Sequence, residues 1–155
     1  MPARTSRPQL DDVSKAIIEQ LQQDGRRSYA AIGKVVGLSE AAVRQRVQRL
    51  VDTGVMQIVA VTDPLELGFA REAMVGIRVS GQIAPVADAL AELDEVTYVV
   101  MTAGSLDILA EVVAESDEDL LEIVSERIRR IPGVASTETF VYLSLRKQIY
   151  SWGVR

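Results

Sequence analysis

The chain has no cysteine and no histidine among its 155 residues. Without cysteine there is no disulfide framework, no thiol nucleophile and no zinc–thiolate site. Without histidine, serine triads, histidine metal sites and imidazole acid–base chemistry are excluded as well. No apolar run reaches the ~18–20 residues that a membrane span requires. The N-terminal MPARTSRPQ is polar and basic with no apolar stretch behind it, so no secretory signal is expected. No glycine-rich phosphate loop of either common type is present, which argues against nucleotide-dependent chemistry. Aromatic residues make up only 5%. Carboxylates remain the main candidate catalysts. Glu111, Glu115, Asp117, Glu118 and Asp119 cluster at a predicted strand end and helix start, where solvation and the helix dipole account for them. The reading is a non-enzyme, with no cofactor and no metal.

What is present is the composition of a soluble globular protein, 48% hydrophobic and 25% charged, in a length that fits one medium domain or two small ones. The net charge of −5 is unevenly spread. Residues 1–62 carry nine Lys/Arg against six Asp/Glu, a balance of +3; residues 63–155 carry eight against sixteen, a balance of −8. A basic first half joined to an acidic second half suggests a nucleic-acid module attached to something else. The acidic half would repel phosphate and keep DNA on the first half.

The basic half contains SYAAIGKVVGLSEAAVRQRVQRLVDTG, residues 28–54. It reads as a helix over 29–36, a turn at Gly37 and a second helix over 39–53. Gly37 suits a left-handed helix end, and Ser39 suits the cap of the next helix. At about 100° per residue, Val43, Val47 and Leu50 point inward. Ala41, Arg44, Gln45, Gln48, Arg49 and Asp52 face outward, with Arg46 at the margin. Two short helices around a glycine turn form the helix-turn-helix pattern, whose second helix enters the DNA major groove. Arg pairs bidentately with guanine and Gln with adenine. The same spacing also describes an ordinary amphipathic helix with a solvated face.

Around this pair, residues 1–9 read as a flexible arm bearing Arg4 and Arg7. Residues 10–23 read as a helix with an acidic cap at Asp11 or Asp12, closed by Asp24-Gly25. Arg26, Arg27 and Ser28 are either donors that hold phosphate and fix register on a duplex or solvated loop groups. After the helix stop at Gly54, Val55–Val61 is β-prone and is expected to pair with its counterpart in a second subunit. Asp63-Pro64 and Gly68 mark a boundary. Beyond it the pattern predicts a strand over 71–79, a helix over 83–93, strands over 96–102 and 108–114, a helix over 117–131 and a strand over 136–144. That order is the ferredoxin-like βαββαβ. Neither sheet face looks strongly polar, so sheet-to-sheet dimerisation is expected. The tail carries Trp152, for packing or for assembly. The loop Thr102-Ala103-Gly104-Ser105-Leu106-Asp107 offers backbone N–H groups for a carboxylate and Asp107 for an ammonium, although plain hairpins also carry this pattern.

The order of these pieces resembles the Lrp/AsnC (leucine-responsive, feast/famine) transcription regulators over residues 10 to about 147. The matching residues are Leu10-Asp11, Asp24-Gly25-Arg26, Gly37-Leu38-Ser39, Val43, Arg46, Val47, Leu50, Gly54-Val55, Asp63-Pro64, Leu67-Gly68, Gly104 with Asp107, and Pro132-Gly133-Val134. The resemblance implies an α+β chain with an N-terminal winged helix-turn-helix domain (10–54), a linking strand (55–68), a ferredoxin-like domain (69–147) that senses an effector and assembles, and a tail (148–155). It implies duplex DNA as partner, a small-molecule effector, commonly an amino acid, and self-association into dimers and octamers. A cytoplasmic, nucleoid-associated location follows from that role. Ser39, Ala41, Arg44, Gln45 and Gln48 would face base edges. Arg26, Arg27, Arg46 and Arg49 would contact phosphate or brace the helix. Thr102, Ala103, Gly104, Ser105 and Asp107 would border the effector, near contacts between dimers. Two departures stand out: Leu106 replaces an aromatic residue common before the aspartate, and Met56-Gln57 replaces a more usual pair. The rival readings are an architectural DNA binder without effector, a metabolite-binding or assembly module that does not bind DNA, and an enzyme using paired carboxylates.

Overall fold

The computed structural model describes residues 10–150 and 152–155; the expected arm over 1–9 lies outside them. The chain divides into two units. The first runs to Ala60 and also takes the chain from Lys147 onward, and the second is Val61–Arg146. The expected linking segment 55–68 is thus shared between them.

Three helices make the first unit. Helix α1 is Asp12–Gln23. It starts two residues later than the periodicity suggested, because Asp11 is its cap and accepts from the Ser14 N–H at 2.7 Å. Helix α2 is Tyr29–Val36, capped by Ser28, whose hydroxyl accepts from the Ala31 N–H at 3.2 Å. It ends at Gly37, whose φ of 72° is the left-handed conformation expected there. Helix α3 is Glu40–Asp52, capped by Ser39 through the Ala42 N–H at 3.2 Å. Ile17, Leu21, Ile32, Val43 and Val47 form the buried centre, bordered by Val13, Tyr29, Val36, Leu38 and Met56. Gly33 lies so close to the turn that an added Cβ would sit 2.4 Å from the Leu38 carbonyl oxygen.

The strand expected over Val55–Val61 is not formed in the single chain, so the wing expected of the first unit is missing from it. The backbone N–H groups of Val55 and Met56 turn back to the Leu50 carbonyl at 3.0 and 3.1 Å. Ile58, Val59 and Val61 are exposed. A strand needs a neighbour for its ladder, and this segment has none among the described residues of one chain.

The second unit is a four-stranded sheet in the order β2-β3-β1-β4, with every neighbouring pair antiparallel. Its elements are β1 Arg71–Val79, α4 Ile83–Ala91, β2 Val96–Met101, β3 Ile108–Ala114, α5 Asp117–Glu122 and β4 Val134–Val141. This is the ferredoxin-like arrangement that the sequence pattern predicts. Ala73, Val75 and Ile77 of β1 and Ala110 and Val112 of β3 share a core with Val86, Leu90, Ile123 and Ile128 from the helices.

Several element ends move from their expected places. Helix α4 stops at Ala91 and β2 at Met101. The helix expected over 117–131 is α-helical only to Glu122; Ile123–Ile128 continues it with wider turns, as in the Arg129 N–H donating to the Val124 carbonyl at 3.0 Å. Strand β4 begins earlier than expected because Val134 pairs with Val79 across a bulge. It ends earlier because its partner runs out: Ala73 opposes Val141, and Tyr142 N–H to the Glu72 carbonyl at 2.8 Å is the next link.

The other sheet face carries Met74, Leu109, Tyr98 and Phe140, the alternate positions of their strands, with Phe140 46% exposed. Among them lie Glu72 and Glu111. The Tyr142 hydroxyl donates to Glu111 Oε1 at 2.8 Å. Burial, then the charges of Glu111 and Asp63, pushes Glu72 above the usual carboxylate range. Burial and the Glu111 carboxylate push the Tyr142 phenol up.

Candidate nucleic-acid interface

Helix α3 divides as its sequence predicts. Val43, Val47 and Leu50 are buried, and Ala41, Arg44, Gln45, Gln48, Arg49 and Asp52 line one open surface. Three of the polar side chains there have partners. Arg44 Nη2 donates to Glu40 Oε1 at 2.9 Å, and its guanidinium carbon lies 5.2 Å from the centroid of the Tyr29 ring. Gln48 Nε2 donates to Asp52 Oδ1 at 2.7 Å. No local spacing rule links Tyr29 to Arg44, so Tyr29 is not legible in the sequence; Glu40 is, through its i, i+4 spacing to Arg44.

Arg46 takes the bracing role. Its Nη1 donates to Asp11 Oδ2 at 2.7 Å and to Ser14 Oγ at 3.1 Å, tying α3 to the start of α1. Asp11 is held at about 2, well below the usual carboxylate range, by its hydrogen bond from Ser14 and then by Arg46. Arg27 donates to the Gln20 side chain, and the Arg26 backbone N–H to Asp24 Oδ1 at 2.9 Å. The side chain of Arg26 is exposed, as is Ser28 at the cap of α2. The hydroxyls of Ser28 and Ser39 accept at their caps and keep a hydrogen to donate. The helix-turn-helix thus presents Ser39, Ala41, Arg44, Gln45, Gln48 and Arg49 outward, and turns Arg46 toward α1.

The loop between β2 and β3 is held to β1 by contacts that the sequence does not show. Asp107 Oδ2 already accepts from the Val79 N–H at 2.8 Å, and the Asp107 N–H donates to the Ile77 carbonyl at 2.9 Å. The Thr102 N–H donates to the Asp107 carbonyl at 2.9 Å, and its hydroxyl to the Leu106 carbonyl. Gly104 does not adopt a left-handed conformation, so its backbone has no special need for glycine; what it leaves is open space. Leu106 lies over Gly76, where an added Cβ would meet its methyl at 2.4 Å. Ala103, Gly104 and Ser105 are exposed. The loop therefore uses one Asp107 oxygen to close the β1 bulge, and the other takes no part in that bond.

Three of the carboxylates weighed as catalysts are engaged elsewhere. Asp119 Oδ2 accepts from the Glu115 N–H at 2.9 Å, Asp117 pairs with Arg71, and Glu111 accepts from Tyr142 and Thr97.

Residues 10–51 match the AsnC-type helix-turn-helix domain, and residues 70–155 match a C-terminal dimeric alpha+beta barrel domain of AsnC transcription regulators. The chain belongs to the Lrp/AsnC family of transcription regulators. An HTH-type transcriptional regulator of Pyrococcus furiosus is 34% identical over 146 residues, covering 93% of this chain and 96% of the relative. The HTH-type transcriptional regulator FL11 of Pyrococcus horikoshii is 33% identical over 141 residues, covering 90% and 93%. Among solved structures, the leucine response regulatory protein of Mycobacterium tuberculosis is 29% identical with a TM-score of 0.79, covering 91% of this chain and all of that one. AsnC of E. coli is 26% identical with a TM-score of 0.74, covering 90% and 97%. This regulator is accordingly a helix-turn-helix DNA-binding protein, of a family whose members regulate transcription.

Proposed function

We propose that this regulator reads duplex DNA with α3 of two copies held together through their second units, and that the second unit senses an amino acid or a related metabolite. The observation that carries the DNA reading is the exposed Arg/Gln face of α3 opposite its buried apolar face. Ser39, Ala41, Arg44, Gln45 and Gln48 are assigned to base edges. Arg26, Arg27, Ser28 and Arg49 are assigned to phosphate, and Arg46 to bracing. Two copies would address half-sites about one helical turn (~34 Å) or a multiple of it apart.

The dimer reading is supported by the apolar sheet face around Met74 and Phe140 and by the dimeric domain that the family match describes. Further association, up to an octamer, belongs to the same proposal. So does pairing of the Val55–Val61 segment between copies.

Arg44→Ala is expected to weaken binding to the preferred duplex by about 1–3 kcal/mol and to relax the preference at one base pair. Titrating wild type and variant against a panel of duplexes changed one base pair at a time checks both. If every affinity is unchanged, Arg44 has no part in reading.

The effector reading places the ligand beside Thr102, Ala103, Gly104, Ser105 and Asp107. The name of the M. tuberculosis structure points to leucine as the compound to screen first. A thermal-shift screen over the amino acids and their keto acids is expected to give one stabilising compound. Asp107→Asn is expected to lose that shift, since it keeps an acceptor for the Val79 N–H and removes the charge. A second reading is favoured by the engaged Asp107 carboxylate and by Leu106 over Gly76: an architectural DNA binder without effector, for which the screen would be flat.

A further inference from the structure

Arg44 is the arginine of α3 assigned above to a base edge, and its guanidinium has two neighbours. It carries a carboxylate partner four residues earlier, Glu40, at 2.9 Å, and an aromatic ring from a different helix, Tyr29, at 5.2 Å. Its side chain is still 64% exposed. Tyr29 is itself half-buried against the core of the first unit, so the ring is a fixed platform. A guanidinium has five N–H donors in one plane. The group lies over the Tyr29 ring, and Glu40 occupies a donor of one Nη, so among the described residues the remaining donors have no partner.

The two kinds of acceptor that DNA presents to this group differ in charge. A phosphate is an anion like Glu40. Moving Arg44 onto a phosphate exchanges one anion for another and brings the Glu40 carboxylate toward the backbone charge, which is repulsive. The O6 and N7 of guanine are uncharged and lie in one plane, so they suit a flat donor edge that is already held. The neighbours of Arg44 therefore penalise the contact that carries no sequence information and leave the informative one open.

We propose that Glu40 and Tyr29 are specificity-setting residues of this regulator: Tyr29 positions the Arg44 guanidinium for a guanine edge, and Glu40 keeps it off the phosphates. The inference rests on the reading of Arg44 as a base-contacting residue. It goes beyond that reading by assigning discrimination to two side chains that need not touch DNA. Glu40 works by lowering non-cognate affinity, and Tyr29 by raising cognate affinity.

The test uses the full chain, a cognate duplex obtained by in vitro selection with the wild-type protein, and a scrambled duplex of equal length. Glu40→Gln is expected to strengthen binding to the scrambled duplex about three- to fivefold and to leave cognate affinity within about twofold. On the scrambled duplex the plot of log affinity against log salt is expected to steepen by about 0.9, the increment for one further phosphate contact. Tyr29→Phe keeps the ring and is expected to match wild type on both duplexes. Tyr29→Leu is expected to lower cognate affinity about threefold with scrambled affinity unchanged. Thermal unfolding of each variant shows whether it is folded, and Glu40→Gln carries the test if Tyr29→Leu is not. An equal gain on both duplexes for Glu40→Gln, with no change in the difference of salt slopes, overturns the role of Glu40. Equal behaviour of Tyr29→Phe and a folded Tyr29→Leu overturns the role of Tyr29. Failure of the underlying reading looks different: selection returns no preferred sequence, or Arg44→Ala retains the wild-type preference.

Discussion

Gly33→Ala is expected to destabilise the first unit by about 3 kcal/mol and to lower its unfolding temperature by about 10–20 °C. The reason is local and steric. Gly33 is buried within α2, and its carbonyl accepts from the Leu38 N–H at 2.9 Å as the chain rounds the turn. A Cβ built there lies 2.4 Å from the Leu38 carbonyl oxygen, and the atom in its way is backbone. No rotamer relieves that clash, so α2 and α3 would have to move apart. They are joined through Ile32, Val43 and Val47, and separating them opens that core. Gly37, four residues on, makes the informative contrast. Its φ of 72° strains any L side chain, but the space around it is empty. Gly37→Asn is therefore expected to cost about 1 kcal/mol or less, since asparagine tolerates the left-handed region. Chemical denaturation of the two variants followed by circular dichroism gives the comparison. A loss below about 1 kcal/mol for Gly33→Ala would show that the turn yields without opening the core.

Phe140→Asp is expected to convert the proposed dimer to monomer. Phe140 stands opposite Met74 on the sheet face that the helices leave bare, and each is an apolar side chain among carboxylates. In a two-fold interface one substitution places a charge on both sides at once. An unpaired charge enclosed in an interface costs about 3–5 kcal/mol, or roughly 10²–10⁴-fold in the dissociation constant. Loss of the second reading helix would then reduce affinity for a two-half-site duplex by about 10²-fold or more. Sedimentation velocity measures the first effect and a DNA titration the second; Phe140→Leu, which keeps the apolar surface, is the control. A Phe140→Asp protein that still sediments as a dimer at micromolar concentration would place the interface elsewhere.

How much of this could be read from the chain alone depended on how far apart the deciding residues lie. Helix α2 was legible to the residue because Ser28 and Gly37 punctuate its two ends. Strands β1 and β3 were legible because alternation and their flanking turns agree. The end of β4 was not, since it is set by where β1 begins, more than sixty residues earlier. The widened turns over Ile123–Ile128 were hidden because apolar spacing near 3.6 and a wider coil place similar residues inward. In the candidate site, the outward face of α3 followed from helical periodicity. The Arg46–Asp11, Arg44–Tyr29 and Asp107–Val79 contacts did not, because each joins segments that only the fold brings together.

The first unit takes back the chain from Lys147 onward, so it is made of two stretches with the whole second unit between them. Trp152 is the sole tryptophan, it lies in that returning stretch, and it is 81% exposed. Tryptophan emission from this regulator is consequently a label for the helix-turn-helix unit alone. Tyrosine makes no such distinction, since Tyr29 and Tyr150 belong to the first unit and Tyr98 and Tyr142 to the second. Excitation beyond the tyrosine band therefore follows events in that half alone, by light, in the unmodified protein.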